Sequence, residues 1–146
     1  MKRILVAVDA SPRGSLVLNA SVTMAKLTSA KLVLLRAVGL PPELPRDFWG
    51  RPESDLIGML LSDAKDDLAK LAQPLASEIV EATLTTVGTP WDVICREAKE
   101  REVDLVVIGS HGYSGLDRLL GTTAAKVVNH CDRNVLVIRM QLDGVR

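Results

Sequence analysis

Four glycines fall within thirteen residues near the C-terminal end of the sequence, directly after an apolar run at 103–108. They are Gly109, Gly112, Gly115 and Gly121. Glycine lets a backbone turn tightly and approach a ligand closely. Gly121-Thr122-Thr123 then opens an amphipathic segment at 124–131, and the start of a helix favours an anion because its N–H groups are free. The spacing predicts a phosphate cradle; the alternative is a set of turn glycines followed by helix-capping threonines.

Two side chains inside this segment could have a chemical role of their own. His111 has no neighbouring Asp, Glu, Ser or Cys that forms an obvious relay with it, so we expect it to present its backbone, together with Ser110, to a ligand. Arg118 carries a fork of donors that suits a terminal phosphate, and a solvated surface arginine is an equal alternative. No catalytic residue is predicted.

A second polar loop, Asp9-Ala-Ser11, follows an apolar run at 3–8. Ligands of open parallel sheets bind beyond the C-terminal strand ends, where the strand order reverses. If the strands before the two loops are neighbours, both loops line one crevice. Asp9 is then a ligand contact, and the alternative is an aspartate that caps its own loop.

Composition excludes several classes of function. The 18 basic and 18 acidic residues cancel, so no overall field attracts nucleic acid or an anionic membrane. The first apolar run is too short for a signal peptide or a membrane span. Two cysteines, Cys95 and Cys131, and two histidines have no metal-ligand spacing. We expect a cytoplasmic protein with reduced thiols and no metal site.

Five strands and four helices alternate along the sequence. Apolar or alternating runs at 3–8, 31–38, 78–87, 103–108 and 134–139 predict the strands. This βα alternation predicts an α/β fold, a three-layer, doubly wound parallel sheet with helices on both faces. We expect one domain over 1–146, with a proline-rich surface insertion at 39–54 and a loose tail at 140–146.

Helical spacing also predicts which side of the first two helices is buried. The expected inner residues of the first helix are Leu16, Ala20, Met24 and Leu27. Those of the second helix, over 55–75, are Leu60, Ala64, Leu68, Leu71 and Leu75.

Taken in this order, the motifs resemble the universal stress protein family from residue 2 to about 139. The resemblance rests on Ile4-Leu-Val-Ala-Val-Asp9-Ala-Ser11, Gly88-Thr-Pro90, Asp104-Leu-Val-Val-Ile-Gly109-Ser-His-Gly112 and Val135-Leu-Val-Ile138. It implies a Rossmann-like sheet of the adenine nucleotide α-hydrolase type, in strand order 3-2-1-4-5. It also implies a stress-response or signalling module that changes conformation or assembly when it binds ATP or a related adenine nucleotide, with Mg²⁺ as an optional companion.

Nucleotide-binding members of that family place nine residues between the second glycine and the Gly-Ser or Gly-Thr pair. Here eight residues separate Gly112 from Gly121. A dimeric interaction protein that binds no nucleotide is therefore the alternative function. An enzyme is the weaker third reading, since only 39–54 could supply added reactive groups.

The resemblance assigns the ligand contacts residue by residue. They are Ala7, Val8, Asp9, Ser11, Val38, Gly109, Ser110, His111, Gly112, Gly115, Arg118, Gly121, Thr122 and Thr123. Family members commonly dimerise through the last strand, and an apolar strand at a sheet edge is usually covered. We therefore expect a homodimer through Val135-Leu-Val-Ile138.

Overall fold

A computed structural model describes residues 1–11, 14–41, 43, 45–110 and 120–139. Over these residues the predicted alternation of five strands and four helices is confirmed, with a 3₁₀ turn before the second helix. The elements are β1 (Arg3–Ala7), α1 (Gly14–Thr28), β2 (Lys31–Val38), the 3₁₀ turn (Arg46–Phe48), α2 (Glu53–Ala72), β3 (Val80–Val87), α3 (Pro90–Glu100), β4 (Leu105–Gly109), α4 (Thr122–His130) and β5 (Asn134–Ile138).

All five strands are parallel and lie in the order β3-β2-β1-β4-β5. This is the predicted order. Val6 on β1 pairs with Leu34 on β2 and with Val107 on β4. The chain winds outward from β1 through β2 to β3, then returns to the other side of β1 for β4 and β5. Because β1 and β4 are parallel neighbours, the two polar loops start at the same carboxyl end of the sheet.

The core lies on both faces of this sheet, because neighbouring strand residues point to opposite sides. On one face Ile4, Leu34 and Val107 pack under α1 and α2. On the other, Leu5 and Val106 pack under α3 and α4. Residues pointing to either face are fully buried, which explains why β1 and β4 are nearly continuous apolar runs in the sequence.

The predicted inner face of α1 is wrong in part. Leu16 is 46% exposed and Leu27 is 79% exposed. The buried residues are instead Gly14, Val17, Leu18, Ser21 and Ala25. Three of these are small, so the helix can approach the sheet closely. The Ser21 hydroxyl donates to the Val17 carbonyl oxygen at 2.8 Å, which satisfies the one buried polar group on that face.

The proline-rich segment contains the start of α2 as well as surface loop. Pro52 is the residue before the first helical turn, so α2 begins at Glu53 rather than at the predicted residue 55. Phe48 is buried against the body of the protein, whereas Trp49 next to it is 67% exposed. The helix ends at Ala72, ahead of Pro74. Leu75 lies beyond the helix but still packs against the core.

Candidate functional site

A crevice of about 520 Å³ opens at the carboxyl end of the sheet, where the strand order reverses. Its walls come from the ends of β1, β2 and β4 and from the sides of α2, α3 and α4. Small-molecule sites typically occupy roughly 300–1,000 Å³. The crevice is therefore large enough for a nucleotide-sized ligand.

Six of the predicted site residues line this crevice: Ala7, Val8, Asp9, Val38, Gly109 and Thr123. Ser11, Ser110, Gly121 and Thr122 stand next to it but are not part of its wall. The remaining four, His111, Gly112, Gly115 and Arg118, lie outside the described residues.

Asp9 holds its own loop and also faces the crevice. The Ser11 N–H donates to Asp9 Oδ1 at 2.9 Å, which is the loop-capping alternative. Among the described residues, no other hydrogen bond to this carboxylate is present. The first residue of α1, Gly14, packs closely here: a Cβ on it would lie 3.2 Å from Val8 Cγ1 and 3.4 Å from the Asp9 carbonyl oxygen.

The start of α4 differs in one respect from the predicted cradle. The Gly121 N–H donates to the Ser110 carbonyl oxygen at 3.2 Å, so we do not assign this N–H to a phosphate. Gly121 has φ −59°, a value open to any residue, and its backbone freedom is not required. The N–H groups of Thr122, Thr123 and Ala124 have no acceptor within a helix, and Thr123 and Ala124 line the crevice.

One wall of the crevice is apolar. Val38 at the end of β2, Pro90 and Ile94 on α3 contribute to it. The Gly88 N–H donates to the Val38 carbonyl oxygen at 3.0 Å, which ties the start of α3 to the end of β2. An apolar wall in the same crevice as Asp9 suits a planar heterocycle that carries an amino group.

Three charged residues of the crevice were missed by the sequence reasoning. They are Arg36 on β2 and Asp63 and Asp67 on α2. The two aspartates are one helical turn apart and sit beside Leu60 and Ala64, which also line the crevice. No local sequence signal marks them, because their place in the crevice depends on how α2 lies across the sheet. Because two carboxylates line the α2 side, phosphate groups are favoured on the α4 side, where the helix dipole is positive.

The described residues contain no group of three or more His, Cys, Asp or Glu side chains that could hold a metal ion. None of the helices in that part of the chain is long and apolar enough to cross a membrane.

A doubly wound parallel sheet with a ligand-sized crevice at its switch point defines the class as an α/β protein with a candidate ligand site at that point. The model of the universal stress protein family matches residues 1–139. The chain belongs to the universal stress protein family.

Relatives of similar length support this assignment. Universal stress protein A homolog 2 of Coxiella burnetii is 31% identical, and the match covers 96% of each chain. Universal stress protein YxiE of Bacillus subtilis is 31% identical over 94% of this chain and 98% of its own.

Solved structures also share the fold. Universal stress protein UspA from Lactobacillus plantarum has a TM-score of 0.77 and 28% identity, covering 94% of this chain and 97% of its own. A universal stress protein crystallised in complex with cAMP has a TM-score of 0.63 and 25% identity, covering 94% and 96%.

Proposed function

We propose that this universal stress protein binds an adenine nucleotide, with ATP as the first candidate, in the crevice between the Asp9 loop and the start of α4. One observation carries the proposal: a single crevice joins a carboxylate, an apolar wall and an open helix N-terminus. The solved relative in complex with cAMP supports the same class of ligand.

Each part of the nucleotide has a matching part of the crevice. The adenine ring packs on Val38, Pro90 and Ile94, and its amino group donates to Asp9 Oδ2. The phosphates lie at the N–H groups of Thr122, Thr123 and Ala124, away from the carboxylates on α2. We expect binding to act through conformation or assembly in stress response or signalling, with no efficient hydrolysis.

The first experiment asks whether adenine nucleotide is present and bound. Purified protein is denatured, released nucleotide is identified by mass spectrometry, and stripped protein is titrated with ATP by calorimetry. Asp9→Ala removes a hydrogen bond to a charged group, worth about 1.5–3 kcal/mol, or roughly tenfold to more than a hundredfold in affinity. Asp66→Ala, on the exposed side of α2, is the control and keeps wild-type affinity.

The second experiment separates backbone from side chain at the phosphate end. Gly121 has ψ 159°, a conformation that a following proline accepts, and proline is well suited to the first position of a helix. Thr122→Pro therefore keeps α4 but deletes one N–H donor, whereas Thr122→Ala deletes only the hydroxyl. We expect about a tenfold or larger loss of ATP affinity for the proline variant and a smaller loss for the alanine variant. Equal affinity of both variants and wild type would remove this helix end from the site.

The alternative function, a dimeric protein that binds no nucleotide, is favoured by the short spacing between Gly112 and Gly121. Its test is the same titration: no released nucleotide and no ATP binding would support it. A homodimer is also proposed for the nucleotide-binding form. β5 lies at the edge of the sheet, and Val135, Leu136, Val137 and Ile138 are only half-buried in the monomer.

A further inference from the structure

The two cysteines come together where α3 packs against α4, on the face of the sheet that those helices cover. Cys95 lies in the second turn of α3, and Cys131 directly follows the last residue of α4. Both are half-buried, and both pack against the same buried cluster, which includes Val93, Ile94 and Val127.

Ring contacts close to the two cysteines show how α3 and α4 face each other. Trp91 and His130 have ring centroids 4.8 Å apart, and Lys126 Nζ lies 5.8 Å from the centroid of Trp91. Trp91 is four residues before Cys95, so the two share a side of α3. His130 is the neighbour of Cys131. The contact between Trp91 and His130 therefore places Cys95 and Cys131 at the same junction of α3 and α4, against one buried cluster.

From this geometry we propose that Cys95 and Cys131 form a reversible intramolecular disulfide when the protein is oxidised by hydrogen peroxide. Neither cysteine lines the crevice, and the disulfide does not require a nucleotide to bind. The reaction converts two thiols and one molecule of hydrogen peroxide into one disulfide and two molecules of water.

The environment of the thiols indicates the order of the two steps. Burial, together with the neighbouring Cys131 by charge and hydrogen bonding, raises the pKa of Cys95 to about 12. Cys95 therefore stays protonated at neutral pH, and we assign the first attack on the peroxide to the Cys131 thiol. Its sulfur attacks a peroxide oxygen, the O–O bond breaks, and Cys131 becomes a sulfenic acid with loss of water. The Cys95 sulfur then attacks the Cys131 sulfur, the S–O bond breaks, and the leaving hydroxide takes the Cys95 proton as a second water.

Tryptic digestion allows a direct test on the wild-type chain. Cleavage after Lys70 and Arg96 places Cys95 in a peptide of residues 71–96, and cleavage after Lys126 and Arg133 places Cys131 in 127–133. Reduced protein is treated with hydrogen peroxide, free thiols are alkylated, and the digest is analysed by mass spectrometry. We expect the two peptides to be joined by a disulfide within one chain, and to separate again after dithiothreitol.

Two variants provide the controls. Cys95→Ser should leave Cys131 as a sulfenic acid that a selective probe labels, whereas Cys131→Ser should leave Cys95 unoxidised and open to alkylation. Three results with the wild-type protein would overturn the proposal. Both thiols could still be alkylated after peroxide treatment, sulfinic acid could form without any linked peptides, or the disulfide could form only between two chains.

Discussion

Gly88 joins β3 to α3 at the edge of the crevice, and its replacement by alanine should destabilise the protein strongly. Its φ is +152°, and a Cβ added there would lie 2.8 Å from Val93 Cγ2. Real side chains do not approach that closely, and Val93 is fully buried and cannot move outward. The backbone conformation costs about 1–3 kcal/mol for a residue with a side chain, and overpacking costs about 1–3 kcal/mol more.

The sum is about 2–6 kcal/mol of unfolding free energy. At roughly 2–4 °C per kcal/mol for a domain of this size, a loss near the middle of that range lowers Tm by about 10 °C. Urea unfolding followed by circular dichroism measures the free energy, and a thermal scan measures Tm. Gly58→Ala is the matched control, because Gly58 is exposed within α2 and has no atom within 4 Å of the added Cβ. It should raise stability by about 1 kcal/mol.

A double-mutant cycle separates the two causes of the Gly88→Ala effect. Val93→Ala removes the methyl group that the new Cβ would strike, at the cost of a cavity. In that background Gly88→Ala should cost only the backbone share, about 1–3 kcal/mol. An equal cost in both backgrounds would show that the contact with Val93 is not responsible. A Gly88→Ala protein as stable as wild type would refute the reasoning entirely.

Two further predictions concern the amino end of the sheet, opposite the crevice, and its last strand. The Asp104 carboxylate accepts the Arg3 N–H at 3.0 Å and the Lys2 N–H at 2.6 Å, and these bonds lower its pKa. Because the folded pKa is the lower one, this stabilisation is present above the unfolded value near pH 4 and lost as pH falls further. Asp104→Ala should therefore be less stable than wild type in urea at pH 7, with the difference shrinking towards pH 3; a difference that stays constant would contradict the assignment. Val137→Asp on β5 should convert a homodimer to a folded monomer in sedimentation, and an unchanged dimer would exclude pairing through this strand.

Much of the fold could be predicted because its signals are local. β1 and β4 are buried on both faces, so each is a continuous apolar run that only a central parallel strand requires. Their adjacency was only a default for an open parallel sheet, and the strand order came from the family resemblance. The prediction of the inner face of α1 is partly wrong because it followed large apolar residues and overlooked small ones. Leu27 lies outside, whereas Ser21 and Ala25 face the sheet.

The candidate site was predictable only where a motif marks a strand end. Asp9 directly follows a buried run, so its position at the crevice could be expected. Asp63 and Asp67 have the appearance of ordinary solvated helix positions, and their place in the crevice depends on how α2 lies across the sheet. The bond between the Gly121 N–H and the Ser110 carbonyl oxygen joins two ends of a loop, which no local pattern encodes.

The proposed nucleotide site and the proposed disulfide share the same two helices. Ile94 lines the crevice, and Cys95 is the next residue on α3. α4 presents Thr123 to the crevice and ends next to Cys131, roughly 14 Å from its first residue at 1.5 Å per residue. A disulfide at Cys131 would fix the C-terminal end of α4 to α3. It would therefore act on the packing of α3 against α4, which also positions Thr123 in the first turn of α4. If oxidation changes ATP affinity by some factor, ATP must change the disulfide equilibrium by the same factor. Calorimetry on oxidised and reduced protein and redox titration with and without ATP are thus two measurements of one coupling. A factor of one in both would show that the two sites are not linked.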